Sequence, residues 1–315
     1  MRHLRVDDAA SGQRLDNFLM RLWKGVPKTH VYRVIRSGEV RINKGRAAAA
    51  TRLESGDVLR LPPVRTAARA ASEVAEARQF PVLYEDEHLL AIDKPAGTAV
   101  HGGSGVSFGV IEQLRAARPA ARVLELVHRL DKATSGVLLL AKKRSALTGL
   151  AEQFRGRETG KVYLALVEGV WPKQHQVIDV PLYRYLDAQG ERRVRRAESD
   201  DPGRRSITLV RLVRAYAAFS LLEVTLKTGR THQIRVHLQG EGHAIVGDDK
   251  YGERALNRAL ARGEPLAGRG GTSRFARMFL HAARLSFAHP ASGERVEIGS
   301  PLPADCAAFL DTLEP

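Results

Sequence analysis

The sequence HRLDKATSG at residues 128–136 lies between two apolar segments, residues 123–127 and 136–141, that are typical of buried β-strands. A polar segment between two such strands is a loop held by a rigid scaffold, and functional residues concentrate on loops of this kind. Asp131 has a cation close by on each side in this loop. Two interpretations remain open for it: a surface salt bridge, or a functional carboxylate that neighbouring charge keeps ionised.

A second polar stretch is TGRTHQIRVH at residues 228–237. Its first two residues predict a turn, and the pattern after them predicts a helix that begins near Thr231. His232 and Arg235 can then approach one face of the helix. The alternative is a basic helix whose charged face is solvated.

The apolar segments around these stretches predict a sheet with flanking helices. Strands are predicted at residues 82–85, 88–93, 123–127, 136–141, 161–167, 207–213 and 219–226, and helices near 109–117, 145–155, 231–240 and 303–313. Because strands and helices mix without a regular βαβ alternation, the pattern predicts an α+β domain rather than a doubly wound one.

The first 62 residues predict a small basic module. Residues 14–60 contain 11 Lys/Arg and 4 Asp/Glu, a net charge of 11 − 4 = +7. Two short helices are predicted from Leu15, Phe18, Leu19, Leu22 and Trp23 and from Val31, Val34 and Ile35, with Gly38 as the terminator of the second. Strands are predicted at residues 39–43 and 57–61. Such a module suits an RNA surface, and the alternative is a helical hairpin with a solvated charged face.

Residues 62–79 open with two prolines and are rich in Ala, Arg and Glu, which favours a flexible linker over a short surface helix. We therefore divide the chain into a basic module (1–62), a linker (63–79) and a larger domain (80–315).

The composition indicates a polyanionic partner. The 315 residues carry 50 Lys/Arg and 35 Asp/Glu, a formal charge of +15 that favours nucleic acid over mere surface solubility. The one cysteine, Cys306, excludes an intrachain disulfide and a cysteine-based metal cluster, and it fits a reducing cytoplasm. No run of about 20 apolar residues suggests a membrane span, and the N-terminus has no secretory pattern.

The stretches around Asp131 and Arg235 together resemble the pseudouridine synthases that modify ribosomal and transfer RNA and carry the His-Arg-Leu-Asp signature. Further matching stretches are DEHLLAIDKPAG (86–97) with Val100-His101, KVYLA (161–165), and FLHAA (279–283) followed by FAHP (287–290). The resemblance covers about residues 80–300. Residues 98–112 resemble the member of the family that acts on large-subunit ribosomal RNA.

The basic module resembles the S4 RNA-binding domain in the stretches QRLDNFL (13–19), RSGEVRIN (36–43) and LESGDV (53–58). This resemblance implies phosphate contacts from five cations: Arg33, Arg36, Arg41, Lys44 and Arg46.

The synthase resemblance implies a role for each residue of the site. Asp131 is the catalytic carboxylate, and Arg235 pairs with it, holds it ionised and orients it, for which a bidentate geometry is favoured. Tyr163 packs against the target base. Arg129 enters the RNA stack and supports the flipped nucleotide. Further RNA contacts are expected from His128, Arg230 and His232.

The expected partner is ribosomal RNA, of the large subunit or its assembly precursor. The resemblance implies no cofactor and no metal, because one ionised carboxylate can serve as nucleophile or base. We expect a cytoplasmic monomer with no membrane contact and no obligate protein partner.

Three rival enzyme classes fit less well. The motif GVSFG (105–109) matches a serine-hydrolase nucleophile elbow and HGG (101–103) is similar to an oxyanion-hole motif, but a Gly-rich loop stands where the elbow needs a strand. Among eleven histidines there is no H-E-x-x-H, and His232 and His237 are spaced off one helix face. A glycosidase pair of Asp131 and Asp93 is disfavoured because DKP (93–95) is typical of a strand end.

The non-enzyme alternative is a ribosome-associated RNA-binding protein that has lost its activity. The basic module would serve it equally well, but the presence of Asp131, Tyr163 and Arg235 argues against it.

Overall fold

The computed structural model describes residues 1–7, 10–23, 25–64, 75–102, 107–172, 174–187, 191–264 and 274–314. Within these ranges it contains seven α-helices and sixteen β-strands arranged in three sheets. The predicted α+β class is confirmed.

The N-terminal module pairs two helices with a four-stranded antiparallel sheet. The strands are β1 (Arg2–Arg5), β2 (Arg41–Ile42), β3 (Gly45–Arg46) and β4 (Val58–Leu61), in the order β1-β4-β2-β3, and the helices are α1 (Leu15–Leu22) and α2 (Lys28–Arg36). The apolar residues that predicted both helices form one buried cluster with Leu53 and Leu59. Strand β1 was not predicted, because its four residues include only one apolar side chain.

Gly38 ends α2 as predicted. It has a φ of +75°, and its N–H donates to the carbonyl of Ile35 while the N–H of Glu39 donates to that of Val34. These two bonds satisfy carbonyls that the helix end would otherwise leave unpaired. Asn43 and Lys44 both have positive φ, as a two-residue hairpin turn requires, so β2 and β3 form a tight hairpin.

The larger domain is built on a ten-stranded sheet with a separate two-stranded hairpin. In chain order, its strands are β5 (Val82–Glu85), β6 (Leu89–Lys94), β7 (Glu125–Leu126), β8 (Ser135–Ala141), β9 (Gly160–Glu168), β10 (His175–Asp179), β11 (Leu182–Leu186), β12 (Arg192–Arg196), β13 (Ile207–Ala215), β14 (Phe219–Leu226), β15 (Leu280–Ala288) and β16 (Arg295–Gly299). Its helices are α3 (Val110–Ala117), α4 (Arg144–Gly156), α5 (Gln233–Gly240), α6 (Arg254–Arg262) and α7 (Ala304–Asp311).

The strand order in the large sheet is β10-β13-β14-β9-β15-β8-β6-β5, with β16 added to β15 and β7 to β8, while β11 and β12 pair only with each other. All seven strands and four helices predicted after residue 80 are present, with ends displaced by two residues or fewer. The strands that were missed, β10–β12, β15 and β16, interleave charged or polar residues with apolar ones and so lack a clear apolar run. Helix α6 was also missed, because its nine residues are mostly arginine and alanine.

The centre of the sheet positions the loop that carries Asp131. Strand β8 is buried along its whole length, and its contact with β15 is the one parallel pairing among the strand pairs of the described chain. The two backbones approach so closely at Gly136 that a Cβ there would lie 2.3 Å from the carbonyl oxygen of Ala282. Glycine is therefore required at this crossing. The loop that carries Asp131 leads directly into β8, a strand that is buried along its whole length.

None of the described helices has both the length and the apolarity that crossing a bilayer would need.

Candidate active site

Asp131 lies in the turn between β7 and β8, where its carbonyl oxygen accepts a bond from Thr134 N at 3.1 Å. The backbone of the next residue, Lys132, is held by a buried side chain. The buried ammonium of Lys94 donates to the carbonyl oxygens of Pro95 and Thr98, each at 2.8 Å, and of Lys132 at 3.3 Å. Burial lowers the pKa of Lys94 to about 7, and three carbonyls match the three N–H donors of its ammonium form. The loop is thereby fixed, while the Asp131 side chain stays 30% exposed.

Arg235, in the first turn of α5, approaches Asp131 through one nitrogen only. Its Nη1 is 3.4 Å from Asp131 Oδ2, whereas its Nε and Nη2 each donate to Asp248 at 2.6 Å. Nη2 also lies 3.1 Å from Asp249. The expectation of a bidentate Arg235–Asp131 pair is therefore wrong: the planar fork of the guanidinium is taken by Asp248, a residue that the sequence analysis missed.

Asp248 is held as firmly as the arginine it binds. Its side chain is fully buried, and its Oδ1 also accepts the backbone N–H groups of Lys250 and Tyr251 at 2.9 and 3.0 Å. Burial alone would lower the pKa of Arg235, but the hydrogen bonds and charge of Asp248 outweigh it and raise that pKa above its usual range. The guanidinium is thus a fixed positive charge with one N–H group directed at Asp131.

His232 approaches the same carboxylate oxygen of Asp131 as Arg235 does. Its Nε2 is 3.9 Å from Asp131 Oδ2, and its Nδ1 is 2.8 Å from the hydroxyl of Tyr251. It precedes the helix with a φ of +54°, a conformation uncommon for a side chain other than glycine. Burial lowers the pKa of His232, against the opposing charge of Asp131.

Gln233 supports this strained turn. Its amide oxygen accepts from Arg230 N and from the hydroxyl of Thr228, and its amide nitrogen donates to the carbonyl of Ile207 and the hydroxyl of Thr208. The predicted helix start near Thr231 lies two residues early because these bonds belong to a turn rather than to a helix.

Tyr163 projects from β9 toward the same space. Burial raises the pKa of its phenol above the usual range, with a smaller effect from the charge of Asp131. The ring is therefore neutral and suited to packing rather than to proton transfer.

These side chains line one cavity of about 800 Å³. All seven residues that were predicted for the site in the larger domain contribute to its wall: His128, Arg129, Asp131, Tyr163, Arg230, His232 and Arg235. Among the described residues, the wall carries seven Lys/Arg side chains, namely Arg129, Lys132, Arg155, Arg157, Lys161, Arg230 and Arg235, and Asp131 is the single carboxylate. Such a cavity attracts an anionic ligand and offers it one basic or nucleophilic oxygen.

His128 holds a structural position in this wall. Its Nε2 accepts the backbone N–H of Leu139 at 3.0 Å, and its ring stacks on Phe154 with centroids 5.1 Å apart. Burial lowers the pKa of His128 to about 4, so the ring is neutral at physiological pH. The ring ties the loop to β8, and its predicted contact with RNA remains a prediction.

The five cations predicted in the N-terminal module do not line the cavity. Arg33 and Arg36 lie on α2, Arg41 on β2, Lys44 in the hairpin turn and Arg46 on β3. Arg41 donates to the carbonyls of Gly38 and Lys44, whereas Arg33 has Glu39 at 3.9 Å. Arg41 also lies directly opposite Arg46 and Arg60 in the sheet, so like charges share one face.

The rival enzyme classes gain no support from the described residues. No group of three or more His, Cys, Asp or Glu side chains in the described ranges is arranged to hold a metal ion. Asp93 lines a different cavity from Asp131 and accepts a bond from Ser300. Residues 103–106 of the hydrolase-like motif, and residues 65–74 of the predicted linker, lie outside the described residues.

Two sequence-family models match the chain: that of RNA pseudouridylate synthases at residues 88–240 and that of the S4 domain at residues 13–59. Among solved structures, human RNA pseudouridylate synthase domain containing 1 is similar with a TM-score of 0.60 and 26% identity, over 75% of this chain and 89% of the other. Human RNA pseudouridylate synthase domain containing 4 gives 0.59 and 27%, over 75% and 94%.

Curated relatives are similar over nearly the whole chain. Ribosomal large subunit pseudouridine synthase C of Salmonella typhi is 48% identical over 98% of this chain and 95% of its own length. The protein of the same name from Escherichia coli (strain K12) is 50% identical over 95% and 92%. With the single-carboxylate cavity and the basic N-terminal module, these similarities show that the chain belongs to the RNA pseudouridylate synthase family of isomerases and carries an S4 domain at its N-terminus.

Proposed function

We propose that this enzyme converts uridines of large-subunit ribosomal RNA to pseudouridine, with Asp131 as the catalytic carboxylate. The observation that carries the assignment of Asp131 is the composition of the cavity, whose described lining residues include seven cationic side chains and this single carboxylate. The substrate assignment is supported by the relatives, which are named for the large ribosomal subunit and are 48 and 50% identical to this chain.

The chemistry is an isomerisation within one nucleotide. The N1–C1′ bond breaks, the uracil ring rotates, and C5 bonds to C1′; the proton on C5 leaves and N1 gains one. Nothing is oxidised or transferred to a second molecule, so the reaction needs a positioned nucleophile or base rather than a redox group. Asp131 fits this role because its carboxylate is partly exposed to the cavity and has only one long bond to Arg235.

Arg235 and Tyr163 complete the proposed catalytic group. Arg235 orients Asp131, and it acts from a fixed place because Asp248 binds the Nε and Nη2 side of its guanidinium. Tyr163 offers a neutral ring against which the uracil packs. His232, between Asp131 and Tyr251, lies beside the same oxygen and limits the movement of the carboxylate.

The target base has to leave its stack to reach Asp131, at a cost of a few kcal/mol. Arg129 is exposed on the same loop, two residues before Asp131, and is placed to enter the vacated position. Arg230 lines the same cavity. Contacts between such cations and the phosphates offset the cost of unstacking.

The S4 domain serves as a separate RNA-docking module. We assign residues 1–62 to it, 63–79 to a linker and 80–315 to the catalytic domain, and we expect a cytoplasmic monomer. Arg41, Arg46 and Arg60 share one face of its sheet. Like charges placed directly opposite one another destabilise a sheet, and a bound phosphate backbone would relieve that repulsion.

The test is to incubate the purified chain with ribosomal RNA lacking pseudouridine and to map the modified positions by carbodiimide treatment and reverse transcription. We expect pseudouridine in large-subunit RNA and none in small-subunit RNA or transfer RNA. The Asp131→Asn variant is almost isosteric and should bind RNA but form none. Retention of about a tenth of the wild-type turnover would rule out Asp131 as the catalytic group. RNA binding without any modification by the wild-type chain would favour the inactive RNA-binding alternative.

A further inference from the structure

The cavity wall has a second cationic group, on the side formed by the end of α4 and the start of β9. It consists of Arg155, Arg157 and Lys161. We propose that these three side chains form a phosphate site for the RNA strand that carries the flipped uridine. This inference rests on the proposed function, which requires an RNA strand in the cavity but assigns these residues no part.

The cationic group is joined to the catalytic loop through an aromatic stack. The ring of Phe154, at the end of α4, packs on His128 at 5.1 Å, and the Lys161 ammonium lies 5.7 Å from the centroid of the Phe154 ring. Lys161 thus contacts the same ring as His128 of the loop that carries Asp131, and Arg155 and Arg157 line the same cavity. A strand whose uridine reaches Asp131 has to run along this wall or leave the cavity.

The three cations have no ion pair and no side-chain hydrogen bond within the described ranges. They differ in this from cations such as Arg193, Arg195 and Arg196, each of which pairs with a carboxylate at short range. Burial, and then the charge of Arg157, lowers the pKa of Lys161. Lys161 is partly buried, whereas Arg155 and Arg157 are exposed. Because none of the three has a carboxylate partner in the described ranges, a bound phosphate would be the counterion of the whole group.

The backbone at Arg157 provides a second, independent observation. Arg157 ends α4 with a φ of +64° and a ψ of +31°, the left-handed region that favours glycine. At two other helix ends the chain has glycine in this conformation, since Gly263 ends α6 with a φ of +70° and Gly38 follows α2 with a φ of +75°. The chain thus has an arginine in a conformation that glycine would adopt at lower cost, which motivates a test of this side chain.

The chemistry of the group fits a phosphodiester. Two guanidinium groups and one ammonium supply charged N–H donors that bind phosphate oxygens more strongly than neutral donors do. The occupant is the RNA backbone rather than a free phosphate, because the site opens into the same cavity as Asp131 and is continuous with the path of the target nucleotide.

The strained position offers a clean test, the Arg157→Gly variant. Glycine keeps the backbone conformation, so the melting temperature should be unchanged or higher, while the charge is removed. The binding constant for a large-subunit RNA fragment that contains a target uridine is measured at several salt concentrations. We expect weaker binding, a log–log salt slope flatter by about 0.7–0.9 because one phosphate is no longer neutralised, and a KM that rises more than kcat falls.

Three further variants keep the proposal falsifiable. Arg157→Lys restores the charge and should restore the slope, and Arg155→Gln should flatten it as Arg157→Gly does. Arg254→Ala removes an equally exposed cation on α6, outside the cavity, and should leave slope and turnover at wild-type values. A wild-type slope and affinity in both Arg157→Gly and Arg155→Gln would overturn the phosphate site. Failure of the proposed function looks different: the wild-type chain itself would form no pseudouridine, whatever the slopes of the variants.

Discussion

The cations of the catalytic cavity and those of the S4 domain differ in how they are held. Arg235 is 4% exposed and has two bonds of 2.6 Å to the buried Asp248. Arg33 on α2 has a side chain 61% exposed, and its carboxylate neighbour, Glu39, is 3.9 Å away. Hydrogen bonds hold the guanidinium of Arg235 in one place, whereas that of Arg33 keeps much of its rotational freedom. A fixed charge suits the alignment of a reacting atom, and a mobile charge suits the attraction of a polyanion of variable shape.

The energetics of the two regions differ in the same direction. A buried ion pair loses its solvation, so removing one partner leaves an uncompensated charge and is strongly destabilising. An exposed cation contributes little to stability and is screened by salt. Substitutions in the cavity should therefore act on turnover and folding, and substitutions in the S4 domain on RNA affinity and its salt dependence.

The largest expected effect of a variant in the supporting network is that of Asp248→Asn. The amide cannot accept both N–H groups of the Arg235 fork, so the guanidinium would turn toward Asp131 and displace it. We expect kcat to fall about 100-fold, a loss typical of a misplaced reacting group, and the free energy of unfolding to fall by several kcal/mol. Single-turnover rates below the melting temperature, with RNA affinity as the control, measure this. Unchanged kcat in a destabilised variant would reduce Asp248 to a folding role.

Asp131 and Arg235 could be singled out because each lies in a short polar stretch next to a clear apolar strand, and the resemblance to the pseudouridine synthases implied their roles. Asp248 was missed for a physical reason. It lies in an irregular loop, GDDKYG at residues 247–252, whose spacing has no periodicity, and its contact with Arg235 is made by the tertiary fold. The glycines at both ends of that loop were the available signal. A Cβ at Gly247 would lie 1.9 Å from the carbonyl oxygen of Arg277, which shows how closely the loop is packed.

Elements whose burial depends on tertiary contacts were also missed in the rest of the fold. Strands with an apolar run, such as β8 and β14, were predicted nearly to the residue, whereas β12, with four arginines in five residues, was not. Its one apolar residue, Val194, packs on Val236 of α5 and closes a cluster that exists only after folding. Burial of this kind depends on which face meets a distant helix, and local sequence does not record it.

The Arg235→Lys variant should have a smaller effect than Asp248→Asn. Lysine keeps the positive charge but has no planar fork, so it cannot contact Asp131 and make a bidentate bond to Asp248 together. We expect kcat to fall about tenfold, or one step of about 1.4 kcal/mol in the barrier, with RNA affinity little changed. Steady-state kinetics on the RNA fragment separate the two effects. If affinity fell and kcat did not, Arg235 would belong with the docking cations, and the contrast between the regions would fail.

In the S4 domain, the double variant Arg36→Ala/Lys44→Ala should leave kcat at saturating RNA close to the wild-type value. Both side chains are exposed, so the melting temperature should change little. The log–log salt slope of binding should flatten by about 0.7–0.9 for each phosphate that is no longer neutralised. Arg21→Ala, an exposed cation on α1 outside the predicted set, is the matched control. Equal salt slopes in the wild type, the double variant and the Arg21→Ala control would mean that the catalytic domain alone binds the RNA.

The smallest expected effect is that of His128→Gln, which tests whether this residue of the cavity wall has a structural role or contacts RNA. The folded state keeps the ring neutral, because Nε2 accepts the N–H of Leu139 and burial lowers the pKa of His128 to about 4. An unfolded histidine takes up its proton near pH 6.5. The unfolded state therefore binds more protons between these values, and stability that is present above about pH 6.5 is lost as the pH falls toward 4. Glutamine can accept the same N–H but does not titrate.

The His128→Gln variant should thus remove part of the acid sensitivity of folding stability, at most about 1.4 kcal/mol per pH unit, while the contributions of the other buried histidines remain. Thermal melting across this pH range measures the difference, and RNA affinity near neutral pH completes the test. A different result would contradict this: His128→Gln could weaken RNA binding as much as the S4 double variant does and leave the acid sensitivity of folding unchanged. His128 would then be an RNA contact, and the cavity wall would take part in docking as well as in alignment.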